Sequence, residues 1–205
     1  MTRTVSLRDR KRERTQLELA STALRLFQQQ GYAETTVDQI VEAAEYAQST
    51  FFRHFATKED IAFVGVSEFF ADFETAIGVL APEMTPWDHI RAELVRACRS
   101  LGNWEPNIEG GLIKLWLSEP ALDRKFRSLC VEWEQTIARA FAAHAGADPA
   151  TDIRSQLAAR SMLAAAQTGF HIHVRTGADL ADIVEHSLTL LGRGLAPAAA
   201  CDGGR

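Results

Sequence analysis

The segment "QSTFFRHF", residues 48–55, sets Gln48, Ser49, Thr50, Arg53 and His54 among three phenylalanines. Amide, hydroxyl, guanidinium and imidazole groups are donors and acceptors suited to base edges and phosphates. With Phe51 taken as the inward direction and about 100° per residue, Phe55 falls nearly beneath it. Ser49 and Arg53 then point the opposite way, flanked by Thr50 and Phe52. A helix of about seven residues is roughly 10 Å long, which fits a major groove about 12 Å wide. Lys58 adds a cation at the start of the next helix, where backbone N–H groups already attract anions, so the set reads as a phosphate clamp. An ordinary packed corner also uses helix, tight turn and helix; residue type and order favour the DNA-reading alternative.

Other chemistries find little support. His171 and His173 stand two apart, so on a helix they diverge by about 200° and cannot share one metal. "GRGLAP" at 192–197 lacks a preceding strand and is discarded as a nucleotide loop. Cys98, Cys130 and Cys201 have no CxxC spacing, so neither a disulfide framework nor a zinc site is expected, and a reducing cytoplasm fits best. No Ser/His/Asp or Cys/His signature with supporting context appears; no enzyme, cofactor or metal is expected. No apolar run approaches the roughly 18–20 residues needed to cross a bilayer, and no membrane partner is expected.

The formal net charge is −5, which argues against a nucleic-acid partner until it is divided along the chain. Residues 1–60 hold nine Lys/Arg and nine Asp/Glu, so the deficit lies wholly in residues 61–205. Within the first fourteen residues, Arg3, Arg8, Arg10, Lys11, Arg12 and Arg14 face only two acids. Such an arm can meet phosphates by counterion release, or simply remain a solvated tail.

The elements that must hold these residues read as helical throughout, which predicts an all-α chain. A first helix near 9–30 ends against Gly31. A second begins after Thr36, which has capping-box spacing to Gln39, and Thr57 with Asp60 marks a further start. The next helix, about 58–80, is apolar on two sides and is expected to be covered from two directions. Thr85, Pro86 and Asp88 announce another helix, and "GNWEP" breaks the chain near 102–106. "SEP" at 118–120 opens a long helix, and Asp148 with Pro149 caps the next. The last two helices span about 149–175 and 179–195 and meet at Gly177. The expected domains are 1–57 (basic arm and three-helix helix-turn-helix), 58–195 (helical ligand-binding and dimerisation domain) and 196–205 (frayed tail).

From Arg14 to Ile61 the chain resembles the TetR family of repressors. "ALRLFQQQGYAETTVDQIVEAA" is similar to the family's first helix, glycine stop and threonine-capped support helix, and "STFFRHFATKEDI" to its reading helix and S/T-K-E lock. The resemblance implies that Thr36 touches phosphate and that Gln48, Ser49 and Thr50 approach bases. It also implies that Phe52, Arg53, His54 and Lys58 contact backbone or bases. "TFFRHF", "KED" and "SEPALDRKF" are most similar to the branch related to the mycofactocin regulator, which implies an acyl-CoA-like effector. Two positions depart from the family pattern. Glu45 stands where glycine is usual, so the turn is either remodelled or holds a non-glycine at positive φ, at a cost of about 1 kcal/mol or more. Phe52 stands where tyrosine is common and lacks the hydroxyl that could bond phosphate, leaving that contact to Arg53, His54 or Lys58.

After residue 80 the chain is rich in aromatic bulk, including Trp87, Trp104, Trp116 and Trp133. Most such bulk fills core. If helices near 86–175 surround a cavity, the expected wall is Leu94, Cys98, Trp116, Cys130, Trp133, Gln167, Phe170 and His171, an apolar space for a lipophilic effector. One short reading helix reads too few bases, so a homodimer on palindromic double-stranded operator DNA is expected. The small and apolar residues of the last two helices suit a four-helix contact across the two-fold axis. The expected function is ligand-gated repression. Its rival is a small-molecule or acyl-CoA binding protein with a vestigial helix-turn-helix.

Overall fold

The computed structural model describes residues 6–80, 83–103 and 111–194, and among them every regular element is a helix. The order is α1 (Leu7–Gln30), α2 (Val37–Ala43), α3 (Gln48–His54), α4 (Lys58–Ile61) and α5 (Val66–Ile77). Then come α6 (Pro86–Asn103), α7 (Gly111–Ser118), α8 (Pro120–Ala145), α9 (Ile153–Thr176) and α10 (Leu180–Arg193). The described residues fall into two compact units. One draws on Met1–Thr75 and Asn103–Trp133, the other on Ala76–Gly102 and Glu134–Arg205. The expected tail at 196–205, and most of the expected break at 102–106, lie outside the described residues.

In the first unit, local chemistry sets the element boundaries. The Thr36 hydroxyl accepts from the Gln39 N–H at 3.2 Å, while Gln39 Oε1 accepts from the Thr36 N–H at 2.8 Å. Two N–H groups left open at the start of α2 are thereby met reciprocally. Thr57 and Asp60 do the same for α4. Helix α2 packs on α1 and α3, and α1 on α4, burying Leu19, Phe27, Ile40, Phe51 and Ile61.

The single helix predicted over 58–80 is broken in two, and it ends at Ile77. Ile61, Ala62, Phe63 and Val64 are all buried, which no one face of an α-helix permits for four consecutive residues. The chain resolves this by tightening to i→i−3 hydrogen bonds, Ala62 to Glu59 and Phe63 to Asp60, both at 3.1 Å. It then turns at Gly65, whose φ of +79° suits a residue without Cβ. Trp116 of α7 fixes this turn from above: its indole N–H donates to the Ala62 carbonyl at 2.9 Å, and its ring stacks on Phe63 and Phe126. The sequence pattern sets out no separate helix over α7.

The second unit is organised around α9 and α10, which pack closely on one another. A Cβ built at Gly169 would lie 2.5 Å from Val184 Cγ2, so this contact distance requires glycine. Gly177 ends α9 at φ +69°, where the sequence predicts that the last two helices meet, and Asp179 caps α10. The start of α9 differs from expectation. Asp148 bonds the Ala150 N–H and forms a turn over 148–151, and the cap is Asp152, whose carboxylate accepts from the Ser155 N–H at 3.0 Å. A proline at the second position of a turn mimics a proline at the first position of a helix, since both need φ near −65°.

Candidate nucleic-acid interface

The turn before the reading helix keeps the shape a glycine would give. Glu45 has φ +58°, the one positive φ of a non-glycine among the described residues, and Tyr46 N–H bonds the Val41 carbonyl at 2.8 Å. The turn is therefore not remodelled, and Glu45 carries the strain. Its neighbour pins it: the Tyr46 hydroxyl donates to Glu18 of α1 at 2.5 Å, and Arg14 donates to the same carboxylate at 2.7 Å. The Tyr46 hydroxyl foremost, and then Arg14, hold the Glu18 carboxyl below its ordinary range.

Helix α3 divides as its periodicity predicts. Phe51 is 0% exposed and Phe55 is buried, their rings 5.4 Å apart, while Ser49, Phe52 and Arg53 are exposed. Thr50 and His54 are half-buried. Phe52 is 53% exposed, which leaves a large apolar ring on the outward face beside Ser49 and Arg53. Gln48 is exposed, but its amide donates to Asp38 of α2 at 2.8 Å, so it is oriented before any ligand arrives. Thr36 is exposed at the start of α2.

Lys58 sits differently from a free phosphate clamp. Its ammonium donates to the carbonyls of Tyr32 and Thr35 at 2.8 and 2.9 Å and lies 4.1 Å from the centre of the Tyr32 ring. Two of its three N–H groups tie α4 to the turn after α1, which leaves one for an anion.

Three cations of the basic arm join Arg53 and His54. Helix α1 begins at Leu7, so Arg8, Lys11 and Arg12 are helical, and with Thr15 they share one face at i, i+3, i+4 and i+7. Together with Arg53 and His54 they line a cleft of about 620 Å³. That spacing is present in the sequence and is the signal that locates them. Burial foremost, then the charges of Arg53 and Arg12, hold the His54 imidazole below its ordinary pKa, so the cleft's charge comes from its arginines and lysine.

The expected effector wall is divided between the units. Trp116, Cys130 and Trp133 are buried in the first, Leu94, Cys98 and Phe170 in the second. Gln167 is half-buried. His171 is exposed on α9 and so does not line an interior, a correction to its expected place: the α9 stripe through Met162, Ala166, Gly169 and Phe170 faces the core, and His171 lies off it. Burial pushes the Cys98 thiol up to about 12, which marks apolar surroundings. No helix among the described residues is long and apolar enough to cross a membrane, and no group of three or more His, Cys, Asp or Glu among them could hold a metal.

Comparison with known proteins identifies the frame that holds this geometry. The profile described as "Bacterial regulatory proteins, tetR family" matches residues 19–63, and that of the MftR C-terminal domain matches 84–196. The HTH-type transcriptional regulator TcmR of Streptomyces glaucescens is 35% identical over 153 residues, 72% of this chain and 68% of that protein. The putative mycofactocin biosynthesis transcriptional regulator MftR of Mycobacterium tuberculosis is 25% identical over 187 residues, 91% of this chain and 93% of that protein. Among solved structures, FadR of Thermus thermophilus, a TetR-family repressor in complex with lauroyl-CoA, superposes with a TM-score of 0.59 at 21% identity. The match covers 93% of this chain and 100% of that one. The chain thus belongs to the TetR family of bacterial transcriptional regulators, with a C-terminal region of the MftR kind.

Proposed function

We propose that the chain is a repressor that binds palindromic operator DNA as a homodimer and leaves it when a lipophilic small molecule or acyl-CoA binds. The DNA-binding part is residues 1–57 and the effector and dimer part 58–195. The observation that carries this reading is the face of α3 opposite Phe51, where Ser49, Phe52 and Arg53 stand exposed beside the cationic cleft of Arg8, Lys11 and Arg12. Ser49, Thr50 and the pre-oriented Gln48 read base edges. Arg53, Thr36, the three α1 cations and the remaining N–H of Lys58 meet phosphates. Phe52 offers its ring to a thymine methyl or a sugar instead of bonding phosphate. His54 contributes as a neutral imidazole.

The retained turn at Glu45 supports a working helix-turn-helix over a vestigial one, because strain of this kind persists only where surrounding contacts over-determine it. An apolar effector is supported by the buried surroundings of Leu94, Cys98 and Phe170, and an acyl-CoA by the likeness to the lauroyl-CoA-bound repressor. No enzymatic activity is proposed; the relatives are transcriptional regulators. Fluorescence anisotropy on the duplex upstream of the chain's own gene, against a shuffled duplex of equal length, tests the reading. Selective binding whose logarithm falls linearly with log salt supports it, whereas equal affinity for both duplexes removes sequence reading from the account.

A further inference from the structure

The two ends of α3 have neighbours of opposite charge. Arg53, in its last turn, joins the cationic cleft, whereas residues 26–52 hold no Lys or Arg and four acids, Glu34, Asp38, Glu42 and Glu45, all exposed. Asp38 and Glu42 stand four apart on α2 and so share a face. Phosphates suit the Arg53 end, and an acid beside the other end needs a different partner on a duplex.

One of these acids already engages the reading helix. Gln48, the first residue of α3, donates from Nε2 to Asp38 Oδ1 at 2.8 Å, and both residues are exposed, so a groove can reach them. A carboxylate only accepts, so the amide nitrogen must face Asp38. Turned over, the amide would set its own oxygen against the carboxylate. Asp38 thus removes a freedom that a lone glutamine has, and what Gln48 still offers is Oε1 as an acceptor and one N–H as a donor.

That pair of groups matches one base edge. In the major groove adenine presents an amine beside the N7 acceptor, cytosine an amine, guanine two acceptors, and thymine an acceptor beside a methyl. Adenine offers Gln48 a donor and an acceptor together. Guanine calls for two N–H groups, which Gln48 supplies only by giving up Asp38, and the carboxylate is then left without its donor beside further acceptors. Docking expels the water that screens this exposed pair, so the penalty grows in the complex.

We propose that Asp38 is a specificity-determining residue that acts through Gln48: it fixes the amide so that the pair selects adenine and rejects guanine at one position of each half-site. The inference rests on the proposed repressor function and names the base that Gln48 takes.

Selection of duplexes from a randomised pool by the full chain and by Gln48→Ala finds the position, as the one whose preference Gln48→Ala loses. Fluorescence anisotropy then compares adenine, guanine and 7-deazaadenine there, the last lacking the N7 acceptor. The unaltered chain prefers adenine to guanine by about tenfold or more and binds the 7-deazaadenine duplex several-fold more weakly than adenine. Asp38→Asn keeps the size of the side chain but donates as well as accepts, so it lets the amide turn over. It brings the adenine-to-guanine ratio to within about threefold and leaves the other positions of the consensus as they are. Because a negative charge leaves the interface, its affinity for a shuffled duplex does not fall. If Asp38 only supported the fold, the variant would weaken every duplex alike with the ratio intact; circular dichroism checks that both variants are folded. An unchanged ratio in Asp38→Asn, a position that accepts guanine as readily as adenine, or a Gln48→Ala consensus that loses no position overturns the assignment and leaves the repressor function standing. A chain that selects no duplex overturns both.

Discussion

At the scale of single residues, the division of α3 into a buried and an exposed face is legible because helical period decides it: once Phe51 points inward, Ser49 and Arg53 must point out. What was not legible were partners distant in sequence. Gln48 leans on Asp38, and Lys58 spends two N–H groups on carbonyls more than twenty residues away, neither of which spacing reveals. Glu45 stores strain that a glycine would release. Glu45→Gly is expected to raise stability by about 1 kcal/mol in urea denaturation, since only a side chain with Cβ is penalised at positive φ. His54 gives a pH signature with a definite sign. Its folded pKa lies below the unfolded value of about 6.5, so between the two the unfolded chain binds more protons. Stability is fully present above about pH 6.5 and declines as pH falls through the folded pKa. His54→Gln should flatten thermal stability over that window, and an unchanged slope would assign it to other groups.

At the scale of elements, the threonine caps are legible in the sequence and the break at 62–65 is not. Thr36, Thr57 and Thr85 each cap the helix they precede, because capping depends on residues three apart and needs no tertiary information. The break at 62–65 depends instead on four consecutive side chains all finding burial, a property of the surroundings. Asp148 misled because Asp-Pro serves a turn as well as a cap. Close approach of α9 and α10 rests on Gly169. Gly169→Ala should destabilise by about 1–3 kcal/mol in chemical denaturation, as an added methyl meets Val184 Cγ2 at 2.5 Å. A neutral effect would mean that the two helices can separate freely.

At the scale of the whole molecule, the proposed dimer draws on apolar side chains that α9 and α10 leave uncovered, Leu157 at 59% and Leu190 at 45% exposure. Replacing both by glutamate should convert the dimer to monomer in sedimentation velocity while the helical circular dichroism persists; an unchanged mass would place the dimer contact elsewhere. Net charge alone pointed away from DNA, and only its distribution along the chain, together with the one-face spacing of Arg8, Lys11 and Arg12, points back. The most direct test of the central claim is selection of binding duplexes from a randomised pool by the purified full chain. The account predicts a two-fold symmetric consensus, its half-sites about one helical turn or a multiple apart, with enrichment lost on Ser49→Ala combined with Arg53→Ala. A pool that shows no enrichment, or a consensus indifferent to those two substitutions, would contradict it.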